Sequence, residues 1–211
     1  MKLFAFLALA VARAVVAAPA ALAMDLPAKV ARHLDTNVPT IDDPKFIKAI
    51  MDAHWYWRWI HCAQELQWDH NLAQKALNSV QACTEKMHHD VAGSNLSGVS
   101  PAPEDYDTWL RMARDCTHGW HEEETKYPYG SPNMSGDLPW LHFTQMVWRD
   151  TSRIGCALAN CGDVTQNDRA RVYCFYENGG NNIADGQFEK NVWPPVCNDP
   201  SRKVAENHYG F

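Results

Sequence analysis

The chain has 211 residues, of which 46% are apolar and 21% charged, with a formal net charge of −6. At roughly 150 residues per domain this admits one full domain with extensions, or two small ones. The proportions exclude a disordered chain, and an acidic chain without a Lys/Arg cluster lacks the electrostatic footprint of a nucleic-acid binder.

Residues 1–23 read as a secretory signal peptide: Lys2 supplies the positive start, Leu3 to Ala12 an apolar run too short to span a bilayer, and Ala21-Leu22-Ala23 the small-x-small cleavage site. Cleavage after Ala23 removes Lys2 and Arg13 and no acid, leaving 17 basic against 25 acidic residues and a net charge of −8. No later stretch approaches the ~20 apolar residues of a membrane span, so an extracellular protein without a transmembrane segment or lipid anchor is expected.

Residues 24–41 form a Pro-containing lead-in. Asp42-Asp43-Pro44 then predicts a helix start, with Phe46, Ile47, Ile50, Met51, His54 and Trp57 at helical spacing. Trp55, Tyr56, Trp57 and Trp59 surround Arg58, which suggests two packed faces or a cation–π contact, with a carbohydrate or base-stacking platform as the alternative. Asp69 precedes a second helical pattern, Leu72, Ala73, Ala76, Leu77 and Val80, and residues 93–103 break it.

From Glu104 a third helix carries Trp109, Met112, Ala113, Cys116 and Trp120 on one stripe. At about 100° per residue, Glu123 falls roughly 35° from the centre of that stripe, Glu124 about 65° and Glu122 about 135°. Glu123 therefore points inward, where a carboxylate needs a partner. Beyond the Tyr127 to Pro132 turn, His142 to Trp148 reads as a short amphipathic piece. The runs 154–159 and 169–177 read as a hairpin, the second alternating Val172, Cys174 and Tyr176 against Arg171, Tyr173 and Phe175. Helices followed by a late, short sheet form an α+β pattern.

Seven cysteines follow the signal peptide: Cys62, Cys83, Cys116, Cys156, Cys161, Cys174 and Cys197. In an oxidising compartment they read as disulfides with one thiol left over, in on the order of a hundred possible arrangements. No C-x-x-C pair, G-x-S-x-G elbow, H-E-x-x-H helix or P-loop occurs. His121-Glu122 starts like a zinc-protease motif but has Thr125 in place of the second histidine. His88, His89, His118, His121 and His142 are the histidines that tertiary folding could assemble. Asn95-Leu96-Ser97 and Asn133-Met134-Ser135 are glycosylation sequons, with Asn133 favoured because Asn95 adjoins the expected cleft.

Leu141-His142-Phe143-Thr144-Gln145-Met146-Val147-Trp148-Arg149, with Gly155-Cys156-Ala157 and Cys161, resembles the first signature of the CAP superfamily, which comprises cysteine-rich secretory, antigen 5 and plant pathogenesis-related proteins. Val172-Tyr173-Cys174-Phe175-Tyr176 with Gly180-Asn181-Asn182 is similar to the second. His54 with Arg58, Leu66-Gln67-Trp68-Asp69, His89 with Gly93-Ser94-Asn95-Leu96, and Trp120-x-x-Glu123 with Tyr127 and Tyr129 match further landmarks in order. Leu141, Phe175 and Asn178 depart from the family's usual residues.

The resemblance implies a disulfide-stapled, three-layer α-β-α sandwich (CAP or SCP domain) over residues 42–195, with residues 196–211 as a C-terminal extension. It implies Cys156–Cys174 and Cys83–Cys161 disulfides and gives no partners for Cys62, Cys116 and Cys197. It carries the family's cleft tetrad of two His and two Glu onto His89, Ser94, Glu123 and His142, one acid having become a hydroxyl. No cofactor is required. His89, His142 and Glu123 would suit a divalent metal such as zinc with an open fourth position. The expected function is extracellular, non-enzymatic binding of sterols, fatty acids or other apolar molecules, with a role in defence or host interaction. The alternatives are a metal-dependent hydrolase at the His/Glu cleft and a module that binds proteins or glycans.

Overall fold

Asp43 starts the first helix, accepting from the backbone N–H groups of Lys45 and Phe46 while Pro44 occupies the first turn. In the computed structural model, which describes residues 37–130, 132 and 135–197, this helix α1 spans Pro44–Ile60. The signal peptide, most of the lead-in, Asn133 and the residues beyond Cys197 lie outside the described residues.

Asp69 caps α2 (His70–Val80) in the same way. Asp105 caps α3 (Tyr106–Glu122), one residue beyond the expected start. A 3-10 turn, Glu123–Lys126, continues from α3, and α4 (Leu141–Val147) and α5 (Gln187–Asn191) complete the helices. The strands are β1 (Gln67–Trp68), β2 (Ser94–Val99), β3 (Arg153–Asn160) and β4 (Ala170–Glu177), in the order β1-β3-β4-β2. β3 and β4 form the expected hairpin, and β2 adds antiparallel to β4.

β2 corrects the reading of residues 93–103 as a break. Its sequence, Ser-Asn-Leu-Ser-Gly-Val, has little β-branched or alternating apolar character, and pairing with β4 supplies the order that propensity does not.

The alternation of β4 divides the core. Val172, Cys174 and Tyr176 pack with Phe46, Ile50, Trp109, Trp120 and Met146 beneath α1, α3 and α4. Tyr173 and Phe175 face Ala73, Ala76 and Val80 of α2. The result is a sheet between two helical layers. Gly155 permits the close approach of α2: a Cβ there would stand 2.1 Å from the Ala73 nitrogen.

Three disulfides tie these layers. Cys156 and Cys174 face each other across the hairpin, Cys83 after α2 joins Cys161 after β3, and Cys62 after α1 joins Cys197. Cys116 is the free thiol.

Two buried polar side chains order the helical layer. Arg58 is fully buried, yet it makes no cation–π contact with its aromatic neighbours among the described residues. Its guanidinium donates to the carbonyls of Gln64 (2.7 Å), Met146 (3.0 Å), Trp148 (2.8 Å) and Thr151 (2.9 Å). Burial pulls its pKa down to about 9, so it remains a cation near neutral pH. His54 donates from Nδ1 to the Ile50 carbonyl at 2.8 Å and accepts at Nε2 from the Tyr176 hydroxyl at 3.0 Å. Desolvation lowers its pKa to about 3.

Two measurements check these roles. Arg58→Lys provides a point charge where a fork serves four carbonyls, and should destabilise the fold by roughly 3 kcal/mol or more in denaturant unfolding. His54 is neutral in the folded state and takes a proton in the unfolded state below pH ~6.5. Stability is therefore full above that pH and falls as pH drops toward about 3. His54→Gln should flatten the slope of unfolding free energy in that window by about 1.4 kcal/mol per pH unit.

Candidate functional site

The four carried-over tetrad positions meet around the start of α4. Glu123, at the junction of α3 and the 3-10 turn, places Oε1 2.7 Å from His142 Nδ1. Its Oε2 accepts from the backbone N–H of His142 at 3.0 Å and of Phe143 at 3.4 Å. α4 has no side-chain cap of its own. Glu123 thus caps a helix from another element and holds its first histidine, and negative charge is favoured at that terminus.

On the opposite side, Ser94 Oγ donates to the Val91 carbonyl at 2.7 Å, so it accepts from His89 Nδ1 at 2.8 Å. The two imidazole rings lie 6.2 Å apart between centroids at an interplanar angle of 29°. Trp120, its indole donating to Ser97 Oγ, lies 6.2 Å from the His142 ring. Desolvation, followed by the neighbouring His142, lowers the pKa of His89.

This geometry bears on the expected ligand set of His89, His142 and Glu123. Both oxygens of Glu123 are committed to α4, and Ser94 orients His89, so neither is disposed toward a shared ion. Both Nδ1 atoms are engaged in hydrogen bonds, so a metal would be met by the two Nε2 atoms. The chemistry of the donor set therefore fits a divalent ion with two protein ligands, the remainder being solvent. Asn95, the less favoured of the two expected glycosylation sites, is 1% exposed and its Nδ2 donates to the His142 carbonyl at 2.9 Å. A glycan would require that nitrogen at the surface.

The segment after β4 braces α4 and with it the cleft. Gln145 accepts from the Gly180 N–H at 2.6 Å, Thr144 donates to Asn181 Oδ1 at 2.5 Å, and Asn181 Nδ2 donates to the Leu141 carbonyl at 2.9 Å. The signature residues Thr144, Gln145, Gly180 and Asn181 are therefore supports for the histidine.

A separate groove of about 750 Å³ opens between the segment following β2 and α3. Val99, Pro101, Ala102, Pro103, Met112 and Cys116 supply its apolar surface. Sequence reasoning did not find it, because its two walls are contributed by segments whose facing is set only in the tertiary structure. His61, His121 and Glu124 form a further cluster in which His61 carried no sequence signal.

Comparisons with known proteins place this architecture. PRY2 of Saccharomyces cerevisiae is 32% identical over 132 residues, 61% of this chain and 35% of that protein. The secreted protein RBT4 of Candida albicans is 30% identical over 150 residues, 67% of this chain and 37% of that protein. The chain thus spans little more than a third of the length of either relative. The crystal structure of NaASP2 with Zn²⁺ superposes with a TM-score of 0.53 at 18% identity, covering 81% of this chain and 97% of that one; at that identity it shows the fold. The model of the cysteine-rich secretory protein family, CAP, matches residues 51–176, and the chain belongs to that family.

Proposed function

We propose that the protein is a secreted, non-enzymatic carrier of an apolar small molecule, held in the groove between the segment following β2 and α3. The groove itself carries this reading. Its volume of about 750 Å³ falls in the range of small-molecule sites, and Pro101, Ala102, Pro103 and Met112 give this open groove apolar walls. Burial pushes the Cys116 thiol up to about 11, so it lines the wall as a neutral group rather than a nucleophile. Three disulfides suit an oxidising extracellular setting, as do relatives such as the secreted protein RBT4.

The rim favours one kind of ligand. Glu104, Asp105 and Asp115 stand around the groove with Arg111 as the sole lining cation among the described residues. Three carboxylates against one guanidinium disfavour a fatty-acid headgroup and suit the hydroxyl of a sterol. The hydrolase reading has less support, since a free general base is needed and Glu123 is engaged with His142 and the start of α4.

Titration of purified protein with a fluorescent sterol and a fluorescent fatty acid, with heat-denatured protein as control, tests the proposal. Saturable sterol binding at micromolar affinity or tighter is expected, with weaker fatty-acid binding at pH 7. Ala102→Glu, which places a charge against the apolar wall, should weaken sterol binding by about tenfold or more. His142→Ala, in the other cleft, should leave it intact. Absence of binding to both probes would overturn the reading and turn attention to a protein or glycan partner.

A further inference from the structure

The two glutamates at the end of α3 serve different histidines. Glu123 turns to His142, whereas Glu124 turns to a second pair, His61 and His121. His61, at the end of α1, is fully buried, and His121, in the last turn of α3, is 7% exposed. Their Nε2 atoms are 2.9 Å apart. Glu124 Oε2 is 3.4 Å from His121 Nε2, and Glu124 Oε1 is 3.9 Å from His61 Nε2.

From this convergence we infer a divalent transition-metal site formed by His61, His121 and Glu124, independent of both the groove and the His89/His142 cleft. Two imidazole nitrogens and one carboxylate oxygen lie within 4.8 Å of one another, the donor set and count that suit zinc with one open position.

The surroundings orient each donor. His61 Nδ1 donates to the Trp193 carbonyl at 2.6 Å, which fixes the tautomer whose Nε2 carries the lone pair facing His121. His121 is stacked on Trp57 at 3.6 Å and 10°, and Phe143 presses on both histidine rings. Tyr129 donates to Glu124 Oε1 at 2.8 Å, leaving Oε2 as the oxygen nearer His121. Desolvation lowers the pKa of both imidazoles, that of His121 to about 3. Glu124 is partly exposed and provides the route of entry.

The position of the site gives it a structural consequence. Its ligands come from α1, the end of α3 and the following turn, and the Trp193 carbonyl bonded to His61 lies four residues before Cys197, which is bonded to Cys62. A bound ion would join these segments beside that disulfide and stabilise the folded state through binding.

The test uses the full chain carrying His89→Ala and His142→Ala, which removes the other pair of imidazoles. Calorimetric titration with Zn²⁺ should show one site of micromolar affinity or tighter, and Co²⁺ should produce the visible absorption of a tetrahedral nitrogen and oxygen site. Glu124→Gln is isosteric and partly exposed, so it preserves the fold. It should weaken Zn²⁺ binding by at least about tenfold, and His121→Gln should abolish the cobalt spectrum. Zn²⁺ should raise the thermal midpoint of the parent and leave that of His121→Gln unchanged. Absence of binding in the parent, or binding insensitive to both Glu124→Gln and His121→Gln, would overturn the inference and identify the cluster as a hydrogen-bonded histidine pair.

Discussion

The buried Arg58 guanidinium is the constraint around which the helical layer is arranged. α4 has seven residues, too few to be stable in isolation, and has no side-chain cap of its own. Arg58 donates to the Met146 and Trp148 carbonyls at one end, and Glu123 accepts from the His142 and Phe143 N–H groups at the other. A cation at the C-terminal end and a carboxylate at the N-terminal end both match the helix dipole. Burying the guanidinium is costly, but four carbonyls receive its protons, so the charge is dispersed over four acceptors.

Because α4 is fixed at both ends, its side chains address two centres at once. His142 faces His89 in an open cleft, and the adjacent Phe143 packs against His61 and His121 in a closed one. The consecutive residues Glu123 and Glu124 repeat this division from the opposite wall. The two clusters therefore share a framework while differing in exposure: His89 is exposed, whereas His61 is fully buried. The apolar groove lies apart from both, nearer the start of α3, with Met112 and Cys116 lining it and Trp120, one turn beyond Cys116 on the same stripe, beside His142 of the cleft.

Much of the fold was legible because the relevant signals are local. Asp43 and Asp69 cap helices through their own first turns, and the β4 alternation assigns Val172 and Tyr173 to opposite faces wherever the strand is placed. The inward phase of Glu123 was legible for the same reason, although the helix ends at Glu122 and the carboxylate acts from the following turn. β2 was not legible, since Ser94–Val99 is extended by its pairing with β4 rather than by its own side chains. Arg58 was expected among aromatic rings; its carbonyl partners lie as far away as Thr151, a separation no local pattern encodes.

The sequence by itself determined the helix starts, the hairpin, the acidic charge that disfavours nucleic acid, and the order of motifs that marks the family, because each depends on neighbours along the chain or on composition. Tertiary structure alone decided that Cys62 bonds Cys197 and leaves Cys116 free, that Glu123 caps α4, and that His61 and His121 meet at 2.9 Å. These outcomes depend on contacts between segments 19, 60 and 135 residues apart, which packing of the helices against the sheet sets and residue spacing does not.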